Sequence, residues 1–196
     1  MSECRFYGSP FIDEATTDSS HSGGLGHFAL LWAKALGAEV YAISHSPSKK
    51  DDALKMGAKE FITTNEKGWN EPWKFKFDFI LNTADALQHF NMADYFSTLK
   101  VMGKFHTVGF PDDPLPKMMA QDFAPNGCSF GASHIGNRPE MLAMFELADK
   151  QKIKSWVETI PISAEGCKEA VSRVADNKVR YRFTLVDFDK EFGKRA

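Results

Sequence analysis

Gly23-Gly24-Leu25-Gly26 is where the sequence first offers chemistry. Glycines in a tight bend at the start of a helix let backbone N–H groups approach an anion closely, and the positive end of the helix then holds a pyrophosphate. The dinucleotide-binding pattern G-x-G-x-x-G would put its first glycine at position 21. This chain reads His21-Ser22-Gly23-Gly24-Leu25-Gly26, with the last two of the required glycines and His21 in place of the first. An ordinary glycine-rich start of a helix reads the same way. About twenty residues on, a carboxylate would hold a ribose 2′-hydroxyl. Here the chain reads Ser44-His45-Ser46-Pro47-Ser48-Lys49-Lys50, with no acid before Asp51. Hydroxyls and lysines suit a 2′-phosphate, so a dinucleotide bound here would be NADP rather than NAD. The plain alternative is a solvated polar loop that caps the next helix through Ser46 or Ser48. A methyltransferase-like nucleotide fold would also want an acid after this strand, and Ser44 argues against it.

The elements around these residues alternate short β-rich runs with helical periodicity, the pattern of a parallel sheet with crossover helices. An α/β fold is expected. Gly26 to Leu36 is a helix with Phe28, Leu31, Trp32 and Ala35 at helical spacing, flanked by Ala29, Ala33 and Leu36, and so buried against the sheet. Glu39–Ile43 is a strand, Lys50–Met56 a short helix stopped by Gly57, and Glu60–Ile62 a strand. Phe77–Leu81 and Lys104–Gly109 are further strands. Between them lies a helix from near Leu87, one face of which carries Met92, Tyr95, Phe96 and Leu99. Pro111–Pro116 is a proline-rich loop, and Cys128–Ser133 an edge strand. Pro139 starts a helix to about Lys150, with Met141, Phe145 and Ala148 packing inward. Strands at 156–161 and 180–186 flank a helix with Cys167, Ala170, Val171 and Val174 on its apolar side.

Composition narrows the setting. At 196 residues, 43% of them apolar, the chain makes one core with at most a small lobe. With 24 Lys+Arg against 26 Asp+Glu it has no bulk field for nucleic acid or an anionic membrane. No stretch approaches the roughly 18 apolar residues of a membrane span. Met1-Ser2-Glu3-Cys4-Arg5 has no signal-peptide pattern, so a cytoplasmic protein is expected. Cys4, Cys128 and Cys167 are an odd number at wide spacings, which suits reduced thiols and neither a disulfide framework nor a zinc knot.

Gly23–Ala29, Ala33-Lys34-Ala35-Leu36-Gly37, Lys55-Met56-Gly57-Ala58, Ser133-His134-Ile135-Gly136 and Val179-Arg180-Tyr181-Arg182-Phe183 together resemble the zinc-dependent medium-chain alcohol dehydrogenases. Within them the chain is most similar to the cinnamyl-alcohol-dehydrogenase-like, NADP-dependent branch of plants and fungi. The resemblance runs from about Gly23 to the C-terminus. It implies a Rossmann-type doubly wound parallel sheet at 23–155, binding NADP, after an irregular segment 1–22. Residues 156–196 would be strands and a helix that return toward the catalytic domain. It further implies that Gly23, Gly24 and Leu25 contact the pyrophosphate and that Ser44, Ser46 and Lys49 meet the adenosine 2′-phosphate. Thr83 and Val108 would lie at strand ends beside the cofactor, Ser133, His134 and Ile135 at the edge of the nicotinamide, and Arg182 against the cofactor from the C-terminal side. The implied activity is hydride transfer between NADP(H) and an aldehyde or alcohol. The edge strand near Cys128–Ser133 would pair across a two-fold axis in a homodimer.

Two departures from the family stand out. Its catalytic zinc is held by an N-terminal domain, and neither the His-Glu ligand motif nor the four-cysteine lobe occurs here. Cys4 before Tyr7-Gly8-Ser9-Pro10 faintly echoes the last ligand segment. His21, His27, His45, His89, His106 and His134 have no metal-ligand spacing, so no metal site is expected in this chain. The glycine turn should also follow a buried apolar strand, whereas Thr16-Thr17-Asp18-Ser19-Ser20 precedes it and Ala15 is the one apolar residue between Ile12 and Gly23. Either the first strand is disrupted, or Arg5–Ile12 replaces it despite Gly8 and Pro10. The expectation is a truncated or mis-spliced relative with a damaged cofactor site. The alternative to an active oxidoreductase is a non-catalytic NADP(H)-binding module, or a partner of an intact relative.

Overall fold

The computed structural model describes residues 9–12 (backbone alone), 24–84, 87, 90–109, 114–176 and 178–193. The element order is β1 (Ser9–Ile12), α1 (Gly24–Ala35), β2 (Val40–Ser44), α2 (Lys50–Met56), β3 (Glu60–Thr63), β4 (Phe77–Asn82), α3 (Met92–Thr98), β5 (Leu99–Thr107), α4 (Ala120–Phe123), β6 (Ser129–Ala132) and α5 (Arg138–Gln151). β7 (Glu158–Pro161), α6 (Ala164–Ala175), β8 (Phe183–Val186) and α7 (Phe188–Phe192) follow. β1 to β6 form one sheet in the order β3-β2-β1-β4-β5-β6, parallel throughout. That order reverses at β1, which makes the sheet doubly wound and opens a crevice at the carboxyl ends of β1 and β4.

The first strand is present. Ser9–Ile12 pairs with β2 over its whole length, while the ladder to β4 begins at Phe11, past Pro10. A proline has no N–H to give a ladder, so pairing that starts beyond it is the tolerated arrangement. The apolar-poor segment after Ile12 lies outside the described residues, as do Cys4 and His21.

Two cores flank the sheet. On one face α3 lays Met92, Tyr95 and Phe96 against Ile80, Phe105 and Phe77. Phe96 and Phe105 meet edge to face with centroids 5.8 Å apart, worth about 1 kcal/mol beyond their burial. On the other face α1 and α2 press Ala29, Leu30, Ala33, Ala53 and Met56 onto Val40 and Ala42.

The expected inner face of α1 needs correction. Gly26, His27, Ala29, Leu30 and Ala33 are buried, whereas Phe28, Leu31, Trp32 and Ala35 are half-buried. A helix apolar all round does not tell its inner face by spacing alone, and here the small residues let the backbone sit close to β1 and β2.

α5 and α6 also differ from expectation. α5 is well capped, with Asn137 Oδ1 accepting from the Glu140 amide at 3.0 Å and Glu140 Oε2 accepting from the Asn137 amide at 2.8 Å. Yet its Met141 and Phe145 stay exposed rather than packed inward. On α6, Val171 and Val174 are exposed too, because this helix meets β7 and β8 through Gly166 and its neighbours. β7 and β8 form a second, two-stranded parallel sheet with α6 as its crossover.

Candidate coenzyme crevice

The carboxyl ends of β2, β4 and β5 and the first turn of α1 gather most of the residues singled out above. Gly24 opens α1, and its backbone is outside the left-handed region. What it provides is room. A Cβ placed on it would lie 3.0 Å from the Tyr181 carbonyl oxygen and 3.7 Å from Arg182 Nη2. The Arg182 guanidinium also lies over the Phe28 ring, 5.6 Å from its centroid. A cation thus stands at the positive end of a 12-residue helix, where the two fields add and an anion is favoured. Gly23 lies outside the described residues.

At the end of β2 the Ser44 side chain is buried and its Oγ accepts from the Ser46 amide at 3.3 Å. Ser46 and Ser48 hydroxyls are 2.8 Å apart across the turn that leads into α2. Lys49 is buried rather than presented to solvent. It lines, with Ser44, His27 and Asp52, a small cavity of about 20 Å³, room for about one water.

A larger, apolar cavity of about 390 Å³ lies between α1 and the sheet, lined by Leu25, Ala29, Trp32, Ala33, Leu36, Ala38, Phe79, Leu81, Thr83 and Val108. Leu25 is half exposed at its mouth. Thr83 and Val108 are set by a buried network. Asn82 Nδ2 donates to Thr107 Oγ1 at 2.9 Å and to the Ala84 carbonyl at 3.1 Å, Thr107 Oγ1 donates to the Gly109 carbonyl at 3.0 Å, and the Val108 amide donates to the Asn82 carbonyl at 2.9 Å. Ser133, His134 and Ile135 are exposed past the end of β6 and line neither cavity. Ser133 Oγ sits 2.8 Å from His106 Nε2.

Sequence reasoning missed the groups that fix Arg182. Asp52 Oδ2 accepts hydrogen bonds from the Tyr181 hydroxyl and from Arg180 Nη2. Burial pushes the Asp52 carboxyl up, but these two hydrogen bonds, with the charges of Arg180 and Lys55, outweigh it and hold the group below the ordinary carboxylate range. Asn82 and Thr107 were also missed. The Arg180-Tyr181-Arg182 run was visible as a motif, and its partner 129 positions away was not.

Residues 24–150 match the zinc-binding dehydrogenase profile. The chain belongs to the zinc-binding dehydrogenase family. It is 37% identical over 171 residues to NADP-dependent alcohol dehydrogenase 6 of Saccharomyces cerevisiae, an alignment covering 87% of this chain and 47% of that protein. It is 35% identical over 164 residues to probable cinnamyl alcohol dehydrogenase 3 of Oryza sativa subsp. japonica, covering 83% of this chain and 43% of that one. Among solved structures, a cinnamyl alcohol dehydrogenase of Sorghum bicolor superposes with a TM-score of 0.75 at 27% identity, over 89% of this chain and 46% of its own. The Helicobacter pylori enzyme, solved in complex with NADP(H), gives 0.67 at 27% identity, over 90% and 46%. The chain thus spans slightly less than half the length of these relatives.

For this member of the zinc-binding dehydrogenase family, the fit of the two groups the family implies differs. Gly24 leaves the space a Cβ would fill between Tyr181 and Arg182, and the end of β2 carries hydroxyls, which suits a phosphorylated dinucleotide. For zinc, no three His, Cys, Asp or Glu side chains come together among the described residues, so these residues do not fit the metal. Cys128 is buried, which pushes its thiol up. No helix of the described residues is long and apolar enough to cross a membrane.

Proposed function

We propose that this chain binds NADP(H) in the crevice at the carboxyl ends of β1, β2 and β4, as the coenzyme-binding part of an alcohol dehydrogenase acting on aldehydes or alcohols. The observation that carries the reading is the approach of the Tyr181 carbonyl and Arg182 to the place a Cβ would take on Gly24, at the start of α1. The similarity to an NADP-dependent alcohol dehydrogenase of yeast and to a Helicobacter pylori enzyme solved with NADP(H) supports the choice of coenzyme and reaction. In this reading the backbone of Gly23, Gly24 and Leu25 takes the pyrophosphate together with Arg182. Ser44, Ser46 and Lys49 take the adenosine 2′-phosphate. Thr83 and Val108 flank the ribose and nicotinamide side, which Ser133, His134 and Ile135 edge. Bound nicotinamide supplies or accepts the hydride; the residues of this chain bind and orient it. Residues 23–155 form the coenzyme unit and 156–196 the lobe that brings Arg182 to it. β6, at the edge of the sheet, is the strand through which a homodimer would form.

Titration of the purified chain with NADPH and NADH by fluorescence tests the reading. Micromolar binding with NADPH preferred is expected, and it would overturn the expectation of a damaged site; no binding of either overturns the proposal. The second reading is a binding module without turnover, favoured by the lack of a three-donor cluster among the described residues. Aldehyde-dependent NADPH oxidation measured beside zinc content separates the two, since nucleotide-stabilised, metal-free and inactive protein is the module.

A further inference from the structure

Two carboxylates, Asp52 and Glu158, hold the Arg180-Tyr181-Arg182 run. From α2, Asp52 grips both the Tyr181 hydroxyl and the Arg180 guanidinium. From β7, Glu158 grips the same run by its backbone: Glu158 Oε1 accepts from the Arg180 amide at 2.8 Å, and the Glu158 amide donates to the Arg182 carbonyl at 2.8 Å. Between these anchors Tyr181 adopts φ 66°, a left-handed conformation that bulky residues avoid unless their surroundings impose it. Its ring is buried against Trp156 and His27, with centroids 5.2 and 5.3 Å away. The left-handed turn aims the Tyr181 carbonyl at Gly24 and sets Arg182 beside the first turn of α1. Asp52 also shares the small cavity with Ser44 and Lys49.

We propose that Asp52 is a positioning residue for the coenzyme phosphates: by holding Tyr181 in its left-handed turn it places Arg182 at the pyrophosphate, and it ties that arginine to the loop that receives the 2′-phosphate. The proposal rests on the NADP(H) reading and deepens it. Asp52 touches no phosphate itself and acts through Tyr181 and Arg182. A residue that merely glued the C-terminal lobe to the sheet would affect stability without any link to what Arg182 does for the ligand.

The test is a double-substitution cycle in the full chain, read as the NADPH dissociation constant and accompanied by thermal unfolding. Asp52→Asn keeps the shape and removes the charge. Tyr181→Phe keeps the packed ring and removes the hydroxyl, and gives a second, milder route to the same loss. Each is expected to weaken NADPH on the order of tenfold alone, and by no more than about twofold when Arg182 is already Met. Equal losses with and without Arg182, or NADPH binding unchanged in Asp52→Asn while Arg182→Met weakens it, overturn the positioning role and leave the coenzyme reading standing. If the unsubstituted chain binds no NADPH, the coenzyme reading itself fails and the positioning role falls with it; if Arg182→Met binds NADPH as the parent does, the coenzyme reading stands and the positioning role falls alone.

Discussion

Replacing Gly24 by alanine separates the ligand's claim on this position from the fold's. A methyl there would stand 3.0 Å from the Tyr181 carbonyl oxygen, where ordinary contact begins near 3.4 Å, and 3.7 Å from Arg182 Nη2. The carbonyl does not retreat easily, because its residue is held by Asp52 and packed against Trp156. Relieving an overlap of this size costs about 1 kcal/mol, the low end for overpacking. Against it, alanine leaves the unfolded chain less freedom than glycine, a gain of roughly 0.4–1 kcal/mol where the native backbone suits it. Since the backbone at Gly24 is not left-handed, that gain is available. The two nearly cancel, so the melting temperature should move by no more than about 2–4 °C. Binding has no such compensation. The methyl occupies the place where the backbone and Arg182 would meet a phosphate, and losing one charge-assisted hydrogen bond costs about 1.5–3 kcal/mol. NADPH affinity should therefore fall about ten- to a hundredfold. Thermal unfolding and NADPH titration of the same preparation check both halves. Unchanged affinity with unchanged stability would refute the placement of the phosphate at Gly24, and a stability loss above about 3 kcal/mol would refute the steric account.

Other outcomes follow from the same geometry. Asn126, buried, donates to the Phe96 and Leu99 carbonyls at 2.7 and 2.9 Å and accepts from the Cys128 amide at 3.1 Å; Asn126→Ala strands all three and should cost about 3 kcal/mol, a drop of roughly 6–12 °C in melting temperature. Gly166→Ala would put a methyl 2.2 Å from the Pro161 carbonyl oxygen and force the first turn of α6 off β7. A loss of about 2–3 kcal/mol and faster proteolysis of the C-terminal lobe are expected, and a silent substitution would argue against that close approach. Because the folded state lowers the Asp52 pKa, its stabilisation is complete above the unfolded value near 3.9 and is lost as pH falls through the folded one. Melting curves of the parent and Asp52→Asn should accordingly differ most at neutral pH and converge as pH falls below the unfolded value, and a constant gap would contradict the shift.

Much of the fold was legible because punctuation and pattern agreed locally. α2 runs from Lys50 to Met56 and ends at Gly57, whose φ of 107° only glycine adopts readily. Met92, Tyr95, Phe96 and Leu99 are all buried, as their spacing required, although the helix stops at Thr98 and Leu99 already belongs to β5. Where local pattern is ambiguous, tertiary contacts decided. The face of α1 was settled by which side chains are small enough to lie on β1 and β2. β1 was obscured because Gly8 and Pro10 argue against a central strand, and register with β4, starting at Phe11, is a non-local fact. The site followed the same division. The places of Gly24 at a helix start and Ser44 at a strand end were readable from local pattern. Asp52, Asn82 and Thr107 were not, since each acts on a residue or segment distant in the chain.

Among the described residues, the sheet's central strand is also one of its shortest. β3 and β2 are joined to β4, β5 and β6 through the four residues of β1, which meets β2 at Val40–Ile43 and β4 at Leu81 and Asn82. Each flank can zip up from its own neighbouring segments, but joining them requires closing a loop from Phe11 to Leu81, and the entropy of that closure precedes any reward in hydrogen bonds. The two halves should therefore form early and separately, with β1 inserted late as the keystone. In native-state hydrogen exchange its amides should open at lower cost than those of β2 or β5, which makes the seam of the crevice the least cooperative line in the sheet.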